Sequence, residues 1–430
     1  MKKRNLLGTL LLALIFSTNI FAALPQRILV GYWENWNGNF VKLRDIDSRY
    51  NVVCLAFAET NGGSVNGIGF NMYSGINYYD TDLISDIALL RSQGKTVLMS
   101  FGGANGSFKL ATDNDKTSFV TKVKYLVDHY GVDGIDIDLE QATYVGSTGT
   151  IGTPGTSQMN LILAMQELLG WYQTTYGKKM ILTMAPETTY YTGGMSSWAV
   201  TNVNGGDYLP IVDALYDDID LMMVQLYNSG SMLGLDGSSY NQGTADFIVS
   251  QTEAVIKGFN APGLGTMAGF PANKVIVALP SCSGNGSVST GVAKQAMEYL
   301  MGYGAKPGSY ILQKAGGYPT LRGMMTWDIN ADMNYCSSSY AQNFKTIYDH
   351  FVGIEEVSES NFSVYPNPAQ HTITIDGLNK GARMQIYNMV GDLIVEHLLI
   401  EGVNTVGIEQ LAAGIYSINI AGKVQKLVVD

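Results

Sequence analysis

The chain has 430 residues, of which 46% are hydrophobic and 15% are charged, with a formal net charge of -11 at pH 7. This length and composition suit one large domain with a smaller second one and argue against extensive disorder. The acidic balance argues against nucleic acid or an anionic membrane surface as a partner, because both attract lysine and arginine. A neutral polymer such as a polysaccharide is compatible with it.

Residues 1–22 are predicted to be a signal peptide for export. They have a basic start, an apolar run over residues 6–16, and a small residue, Ala22, that suits cleavage. The apolar run is too short to be a membrane span, and no comparable run follows it. We therefore expect a secreted protein with no stable membrane span.

Eight short apolar runs rich in valine, isoleucine and leucine follow the signal. They are continuous rather than alternating, which is typical of strands covered on both faces of a parallel sheet. Several segments between them, such as 82–94 and 117–131, have a helical spacing of apolar residues and end in glycine. The eight runs are residues 28–33, 52–58, 96–101, 134–139, 180–185, 220–226, 275–279 and 323–327.

This alternation predicts an α/β fold, a (β/α)8 TIM barrel, over residues 23–353. The alternative is a doubly wound open sheet, which usually has fewer strands and a glycine-rich phosphate-binding turn after the first one. The sequence GYWENW at the first run is not such a turn. We therefore favour the barrel.

The character of the chain changes after residue 353. Residues 354–361 are polar and acidic, and we interpret them as a linker. Residues 362–430 contain short alternating runs broken by proline, glycine and asparagine. This pattern predicts a small antiparallel β-sandwich domain.

The chain has three cysteines. Cys54 lies inside an apolar run and is predicted to be a buried free thiol. Cys282 and Cys336 each follow a predicted strand, so their loops could meet at one end of the barrel, and the sequence leaves open whether they pair. No cysteine and histidine cluster has zinc spacing, and we predict neither a metal nor a cofactor.

The fourth apolar run ends in the sequence GVDGIDIDLE, which carries a row of acids. Because strand side chains alternate, Asp136, Asp138 and Glu140 are expected on one side, and Asp133, with the opposite parity, is expected to be structural. Residues at the C-terminal ends of barrel strands carry catalysis. Crowding of like charges should raise the pKa of at least one acid, as a general acid near neutral pH requires.

Two other interpretations of these acids remain open. Acidic residues at a strand end can cap the next helix, or they can bind a cation such as magnesium. Metal-dependent barrels usually draw carboxylates from several strands, however, and the other strand ends here offer mainly Glu187 and Asp328. We therefore favour an acid catalyst.

DGIDIDLE, residues 133–140, resembles the DxxDxDxE signature of glycoside hydrolase family 18, the chitinases. Motifs at three other strand ends are similar to the same family, and the resemblance spans residues 28–350. The stretches MAPETTYYTGG and MMTWDINADMN look most like the bacterial chitinase D type. The three further motifs are SFGG (Ser100 to Gly103), VQLYN with Gln225, Tyr227 and Asn228, and MMTWDIN with Trp327.

The resemblance implies a retaining, substrate-assisted hydrolysis, an exception to the scheme with two catalytic carboxylates. Glu140 would protonate the leaving glycosidic oxygen and then deprotonate the incoming water. The acetamido oxygen of the substrate would be the nucleophile, with Asp138 orienting the acetamido group and Asp136 sharing a proton with Asp138. Tyr227 would hydrogen-bond the acetamido oxygen, and Trp327 would form the apolar floor under the sugar.

The resemblance also implies supporting and substrate-binding positions. Tyr32 and Ser100 are expected to support Asp136 from neighbouring strands. Aromatic residues at or near the strand ends could stack on sugars or pack in the core, and the sequence leaves both open. The predicted substrate-binding residues are Trp327, Gln225, Asn228, Tyr32, Ser100, Gly103 and Glu187, and the further aromatic candidates are Trp33, Trp36, Tyr190, Tyr191 and Trp198.

Three functions follow from this resemblance. The first is a monomeric, secreted chitinase that acts on chitin and chito-oligosaccharides. About 40 residues separate the seventh and eighth runs, too few for the additional α+β insertion of some family members, so we expect an open cleft and endo-type cleavage. The second is an endo-β-N-acetylglucosaminidase acting on N-glycans, and the third is a non-catalytic chitin-binding lectin, which would typically lack the acid at Glu140.

The tail, residues 362–430, resembles the C-terminal sorting domain of proteins exported by the bacterial type IX secretion system. The ordered motifs YPNP, IYN and LAAGIY carry this resemblance, although each is weak by itself. It implies the secretion machinery as a partner and a final location outside the cell or on its surface. The alternative is a carbohydrate-binding β-sandwich.

Overall fold

A computed structural model describes residues 24–36, 40–106, 108–140, 149–352, 363–378, 381–388, 392–420 and 423–430. The chain divides into two compact units, one ending at Tyr348 and the other beginning at Asp349. The predicted signal peptide and linker lie outside the described residues.

The elements up to residue 352 alternate between strands and helices for most of their length. In chain order they are β1 (Ile28–Glu34), β2 (Val52–Asn61), β3 (Ser64–Gly69), α1 (Asp80–Ser92), β4 (Thr96–Gly102), α2 (Asp113–Tyr130), β5 (Gly134–Asp138), α3 (Thr156–Tyr176), β6 (Ile181–Met184), α4 (Ser197–Val203), α5 (Leu209–Ala214), β7 (Leu221–Met222), β8 (Ser231–Leu233), β9 (Ser239–Asn241), α6 (Ala245–Lys257), β10 (Gly258–Ala261), β11 (Gly265–Ala268), β12 (Ile276–Pro280), α7 (Thr290–Leu300), β13 (Gly323–Trp327), α8 (Ile329–Asn334) and α9 (Ser339–Val352).

Eight parallel strands form the barrel, in the order β12, β13, β1, β2, β4, β5, β6 and β7. Parallel bridges from Met222 to Val275 and from Gln225 to Ala278 link the two ends of this order, so the ring is nearly closed. Each of the eight apolar runs overlaps one of these strands. The predicted (β/α)8 TIM barrel is therefore confirmed.

Apolar side chains fill the interior of the barrel, as its parallel strands require. Val30, Cys54, Leu98 and Met325, from four different strands, are fully buried in one cluster. Cys54 is a free, buried thiol, as predicted. The polar groups described below begin where this apolar filling ends.

Glycine and hydroxyl residues set the ends of the helix that precedes β5. The Thr112 side chain accepts a hydrogen bond from the Asp115 backbone N–H, and Asp115 reciprocates at the backbone N–H of Thr112, which closes a capping box at the start of α2. Gly131 ends the helix in the left-handed conformation with φ 65°. The chain then turns directly into β5, so these local signals fix where the acidic strand begins.

Asp133 lies at the opposite end of β5 from the other acids. Its carboxylate pairs with Arg91 at 2.9 Å and with Lys178 at 3.2 Å, and it accepts a hydrogen bond from the Val97 backbone N–H. The structural role predicted from its parity is confirmed.

A two-stranded extension of β2 was not predicted. β2 continues past the apolar run to Asn61 and pairs in antiparallel fashion with β3. The turn contains Gly62 and Gly63, both with positive φ, which is the conformation that tight hairpin turns require. The Asn-Gly-Gly sequence was a usable hairpin signal. This extension carries residues that line the cleft described below.

A disulfide joins Cys282 and Cys336, whose Cα atoms are 5.9 Å apart. It links the loop after β12 to the short segment between α8 and α9, so the pairing that the sequence left open is formed. Across the part of the chain that the structure describes, no helix combines the length and apolar character needed to cross a membrane.

The second unit is an all-β domain with two antiparallel sheets that share one core, as predicted. One sheet has the order β14, β15, β18 and the other the order β17, β16, β19, β20. Ile373 and Val406 from the first sheet and Met384, Ile418 and Leu427 from the second are buried together. Its strands are β14 (Ser363–Tyr365), β15 (Thr372–Leu378), β16 (Ala382–Tyr387), β17 (Leu393–Leu399), β18 (Gly402–Gly407), β19 (Gly414–Ile420) and β20 (Lys423–Val429).

Candidate active site

The row of acids lies at the C-terminal end of β5, as the alternation of the strand predicted. Asp136 and Asp138 are in the strand and are almost fully buried, with 0% and 2% of their surface exposed. Glu140 follows the strand and lines a cleft with a volume of about 430 Å³, which is within the usual range for ligand pockets. The row of acids therefore extends from the buried interior of the barrel to the open cleft.

Three hydroxyl groups surround the innermost acid. Tyr32 and Ser100 each donate a hydrogen bond of 2.7 Å to Oδ2 of Asp136, and Thr183 donates one of 2.6 Å to Oδ1. Burial raises the pKa of Asp136, while the bonds from Ser100, Thr183 and Tyr32 oppose this effect. Tyr32 and Ser100 thus support Asp136, as expected, but only Ser100 does so from a neighbouring strand, because β2 and β4 lie between β1 and β5. Thr183, on the neighbouring strand β6, is a third support that sequence analysis missed.

One amide connects the other two acids. The Nε2 atom of Gln225 donates to Oδ1 of Asp138 at 2.7 Å and approaches Oε1 of Glu140 at 3.2 Å. The same nitrogen also donates to the backbone oxygen of Ala185. Because it contacts both carboxyl groups, the Gln225 amide holds Asp138 and Glu140 at a defined spacing.

Burial and mutual repulsion favour the protonated forms of the acids. Burial is the largest cause of the raised pKa of Asp138, followed by the charges of Glu140 and Asp136. Burial also raises the pKa of Glu140 to about 7, with a further contribution from the charge of Glu187, while the Gln225 hydrogen bond opposes it. A carboxyl group that is half protonated near neutral pH is suited to general acid catalysis.

Glu187 acts on the acids through its charge. It follows β6, and a parallel backbone bridge joins it to Gln225. Its negative charge contributes to the raised pKa of both Asp138 and Glu140. The structure thus places Glu187 as an electrostatic neighbour of the acids. Its predicted contact with substrate stays a prediction.

Aromatic rings form the floor of the cleft. Trp327 stacks on Phe57 with ring centres 5.4 Å apart and planes 11° from parallel, and Trp36 stacks on the same Phe57 at 6.1 Å. The Tyr32 ring lies beside Trp327, with the two ring centres 5.7 Å apart. Apolar ring faces of this kind suit the apolar faces of sugar rings.

Tyr227 and Asn228 line the same cleft, so the structure brings the VQLYN motif to the acids. Burial raises the pKa of the Tyr227 hydroxyl well above its usual value, and the charges of Asp138 and Glu140 raise it further. The hydroxyl therefore stays protonated and can donate a hydrogen bond. Asn228 has a positive φ of 55°, which asparagine tolerates better than most residues.

The predicted glycine motif acts through its backbone. The Gly103 N–H donates a hydrogen bond of 2.7 Å to the backbone oxygen of Asp138. A Cβ on Gly102 would lie 2.1 Å from that oxygen, and a Cβ on Gly103 would lie 2.6 Å from the Phe57 ring. Both glycines also have positive φ. Close packing against β5 and Phe57 therefore requires glycine here.

Two family models match the chain. The model described as Glycosyl hydrolases family 18 matches residues 28–299, which is more than half of the chain and includes the acids, Gln225 and Tyr227. The chain belongs to glycosyl hydrolases family 18. The model described as Secretion system C-terminal sorting domain matches residues 363–430, so the chain also carries such a sorting domain.

Similar proteins support the family assignment. Chitinase ChiA of Flavobacterium johnsoniae is 34% identical over 418 residues, covering 89% of this chain and 26% of that protein. Chitinase D of Niallia circulans is 38% identical over 317 residues, covering 71% of this chain and 58% of that protein. The chain thus spans about a quarter of the first relative and a little over half of the second.

Solved structures support the fold. A family 18 chitinase from Chromobacterium violaceum is 30% identical, with a TM-score of 0.65 over 76% of this chain and 84% of that one. Chitinase A from Streptomyces coelicolor, described as putative, is 28% identical, with a TM-score of 0.60 over 76% of this chain and 99% of that one.

The structure shows which of the aromatic candidates line the cleft and which are buried in the core. Trp36 lines the cleft. Trp33 is fully buried and donates its indole N–H to the backbone oxygen of Val41, and Tyr191 is also fully buried. Trp198 is 65% exposed on α4. Trp33 and Tyr191 are therefore core residues.

Asp328, at the end of the eighth barrel strand, caps the helix that follows that strand. Its Oδ1 accepts a hydrogen bond of 2.7 Å from the Ala331 backbone N–H at the start of α8. Burial raises its pKa, and the hydrogen bonds with the Ala331 backbone and with Glu34 oppose this.

Other cleft residues were missed by sequence analysis. Phe57 lies within the second apolar run, and the others come from the β2–β3 extension and from the loops after β1, β3 and β4, where no motif marks them. The missed lining residues are Asn35, Phe57, Glu59, Asn71, Tyr73, Ala104 and Asn105.

Proposed function

We propose that this family 18 protein is a chitinase that hydrolyses β-1,4 linkages between N-acetylglucosamine units, with Glu140 as the proton donor. The observation that carries the proposal is the row of acids, in which Glu140 reaches the cleft with a pKa of about 7. The relatives named as chitinases support the substrate class.

In the first step, Glu140 donates its proton to the glycosidic oxygen that leaves. The bond between this oxygen and the anomeric carbon breaks while the acetamido oxygen of the same sugar forms a bond to that carbon. The result is a cyclic oxazolinium ion and a free sugar hydroxyl. Proton delivery to the leaving group is needed because an alkoxide is a poor leaving group.

Asp138 and Tyr227 suit the role of holding the acetamido group. The carboxylate of Asp138 can accept a hydrogen bond from the amide N–H and stabilise the positive charge that develops on the ring. The Tyr227 hydroxyl, kept protonated by burial, can hydrogen-bond the acetamido oxygen and orient it. Asp136, with its three hydroxyl partners, stabilises the charge state of Asp138 by sharing a proton with it.

In the second step, a water molecule attacks the anomeric carbon. Glu140, now ionised, takes a proton from this water, and the oxazolinium ring opens to restore the acetamido group. The sugar keeps its original configuration because the carbon is displaced twice. Trp327, stacked on Phe57, supplies the apolar floor on which the sugar ring can distort.

The experiment that tests this proposal compares two tetramers, fully N-acetylated and fully deacetylated. We expect hydrolysis of the acetylated tetramer and none of the deacetylated one, because the latter lacks the nucleophile. Equal hydrolysis of both would overturn the mechanism. A glycoprotein with N-glycans, assayed beside them, tests action on N-glycans, and preferential release of its glycans would overturn chitin as the substrate.

We further propose endo-type cleavage with little processivity. Between β12 and β13 the only helix described is α7, so the barrel lacks an additional α+β domain at this crossover to deepen the cleft. An open cleft admits internal segments of a polymer. Product analysis on long chitin oligomers tests this, because products of several lengths are expected early and release of dimer alone would contradict it.

We propose that the protein is secreted through an N-terminal signal and the C-terminal sorting domain, with the type IX secretion machinery as the partner of that domain. The match of residues 363–430 to a sorting domain supports this. Deletion of the chain after about residue 360 should abolish secretion and leave hydrolysis intact. Normal secretion with loss of chitin affinity would instead support a carbohydrate-binding role.

A further inference from the structure

A second carboxylate, Glu59, lies in the wall of the cleft. It stands on the part of β2 that extends beyond the apolar run, opposite Gly69 of β3, and lines the same cavity as Glu140 and Trp327. Its neighbours in the lining include Asn71, which follows β3. The wall that holds Glu59 is thus built by the β2–β3 extension.

The Glu59 carboxylate has no partner within the described ranges. No described residue makes a hydrogen bond or an ion pair with it, whereas Asp136 and Asp138 are both hydrogen-bonded. No lysine or arginine is among the described residues that line the cleft. Burial without a compensating cation raises the pKa of Glu59. A partly buried, unpaired carboxylate does not favour stability, and it suits a site that receives a cation from a ligand.

The substrate can supply such a cation. Chitin carries neutral N-acetyl groups, but each deacetylated unit carries a primary amine that is protonated near neutral pH. The reacting sugar must keep its acetyl group, because that group is the nucleophile. Neighbouring sugars do not react, so their nitrogen can be free. Consecutive β-1,4-linked sugars are turned over relative to each other. When the nitrogen of the reacting sugar points toward Asp138, the nitrogen of the next sugar therefore points away from Asp138, toward a wall of the cleft.

We propose that Glu59 forms a subsite selective for a protonated glucosamine unit, so that the preferred substrate is partially deacetylated chitin. This inference rests on the proposed chitinase activity. The cleft volume of about 430 Å³ suits a ligand of a few hundred daltons, roughly two linked amino sugars. The acetylated sugar then lies over Trp327 and its glucosamine neighbour lies beside Glu59.

The test compares Glu59→Gln with the wild-type protein on two substrates, a fully N-acetylated tetramer and tetramers of defined pattern with one free amine. The measured quantity is the ratio of kcat/KM on the mixed tetramers to kcat/KM on the acetylated one. We expect this ratio to fall about tenfold for the pattern that places the amine at Glu59, as loss of a charge-assisted hydrogen bond predicts. Glutamine keeps the size and the hydrogen-bonding capacity of the side chain, so a contact with a neutral hydroxyl would affect both substrates alike.

A matched control is Glu167→Gln, which removes the same charge from the exposed face of α3, outside the cleft. It should keep the wild-type ratio. Raising the salt concentration to about 1 M should lower the wild-type ratio and leave that of Glu59→Gln constant, because salt screens an ion pair. An unchanged ratio in Glu59→Gln overturns the subsite while leaving chitin hydrolysis intact. Absence of hydrolysis of the acetylated tetramer by the wild-type protein overturns the proposed function itself.

Discussion

The two ends of strand β5 place acids in opposite environments. At the N-terminal end, Asp133 pairs with Arg91 and Lys178. At the C-terminal end, Asp136 and Asp138 are more deeply buried, and their side chains accept hydrogen bonds from hydroxyl and amide groups of the described residues. Burial raises the pKa of Asp136 and Asp138, and the neutral donors around them only partly oppose this effect, so burial favours the protonated forms. The same strand thus carries a stabilising acid at one end and proton-holding acids at the other.

The largest effect is expected from Glu140→Gln. Glutamine cannot donate a proton to the leaving oxygen, so kcat on the acetylated tetramer should fall about 10³-fold. Binding of the variant to chitin should persist, because the aromatic floor is untouched. Steady-state kinetics and a chitin pull-down measure the two quantities. Activity within a few-fold of the wild-type value would remove Glu140 from the mechanism.

Asp138→Asn is expected to have the next largest effect. Asparagine fills the same space but cannot stabilise the positive charge of the cyclic intermediate, so kcat should fall about 10²-fold. Its amide can still contact Gln225, which makes the variant a test of charge rather than of packing. Unaltered kcat would show that the charge of Asp138 does not act on the substrate.

A smaller effect is expected from Glu187→Gln, on pH dependence. Because the charge of Glu187 contributes to the raised pKa of Glu140, removing it should lower that pKa. Glu140 acts as an acid in its protonated form, so kcat/KM should decline at high pH, around pH 7 in the wild-type protein and at lower pH in the variant. A pH profile of kcat/KM, recorded for the wild-type protein and for the variant, measures the pH at which each declines. A shift to higher pH would contradict the electrostatic role of Glu187.

The smallest effect on catalysis is expected from Asp133→Asn, the counterpart at the other end of the strand. Loss of the pairs with Arg91 and Lys178 should lower the free energy of unfolding by about 1 kcal/mol, since these groups are partly exposed. The value of kcat/KM should remain at the wild-type level. Urea unfolding and kinetics on the same preparation check both. A loss of kcat/KM similar to that of Asp138→Asn would break the contrast between the two ends.

Strand parity was sufficient to predict the different roles of the acids at the two ends of β5. It separated Asp133 from the acids that face the cleft, because β alternation is set by the backbone and not by tertiary context. The same rule could have resolved Trp33, which follows the inward-facing Tyr32 and packs instead against Phe40 and Tyr78.

Other parts of the site depend on contacts distant in sequence. Thr183 lies in a strand whose sequence fits ordinary β propensity, and its bond to Asp136 spans 47 residues. Glu59 lies beyond the apolar run that marked β2, on an extension whose signal was the Asn-Gly-Gly turn. Gln225 was identified by its motif, but its position between Asp138 and Glu140 follows from the closing of the barrel. No local pattern encodes these distances.

The most direct measurement of the central claim is the anomeric configuration of the first product, followed by proton NMR immediately after mixing with the N-acetylated tetramer. If the acids at the C-terminal end of β5 deliver a proton while the amide of the substrate attacks, the β anomer must appear first and then convert slowly to the equilibrium mixture. First appearance of the α anomer would mean that water attacks directly, and it would contradict this account.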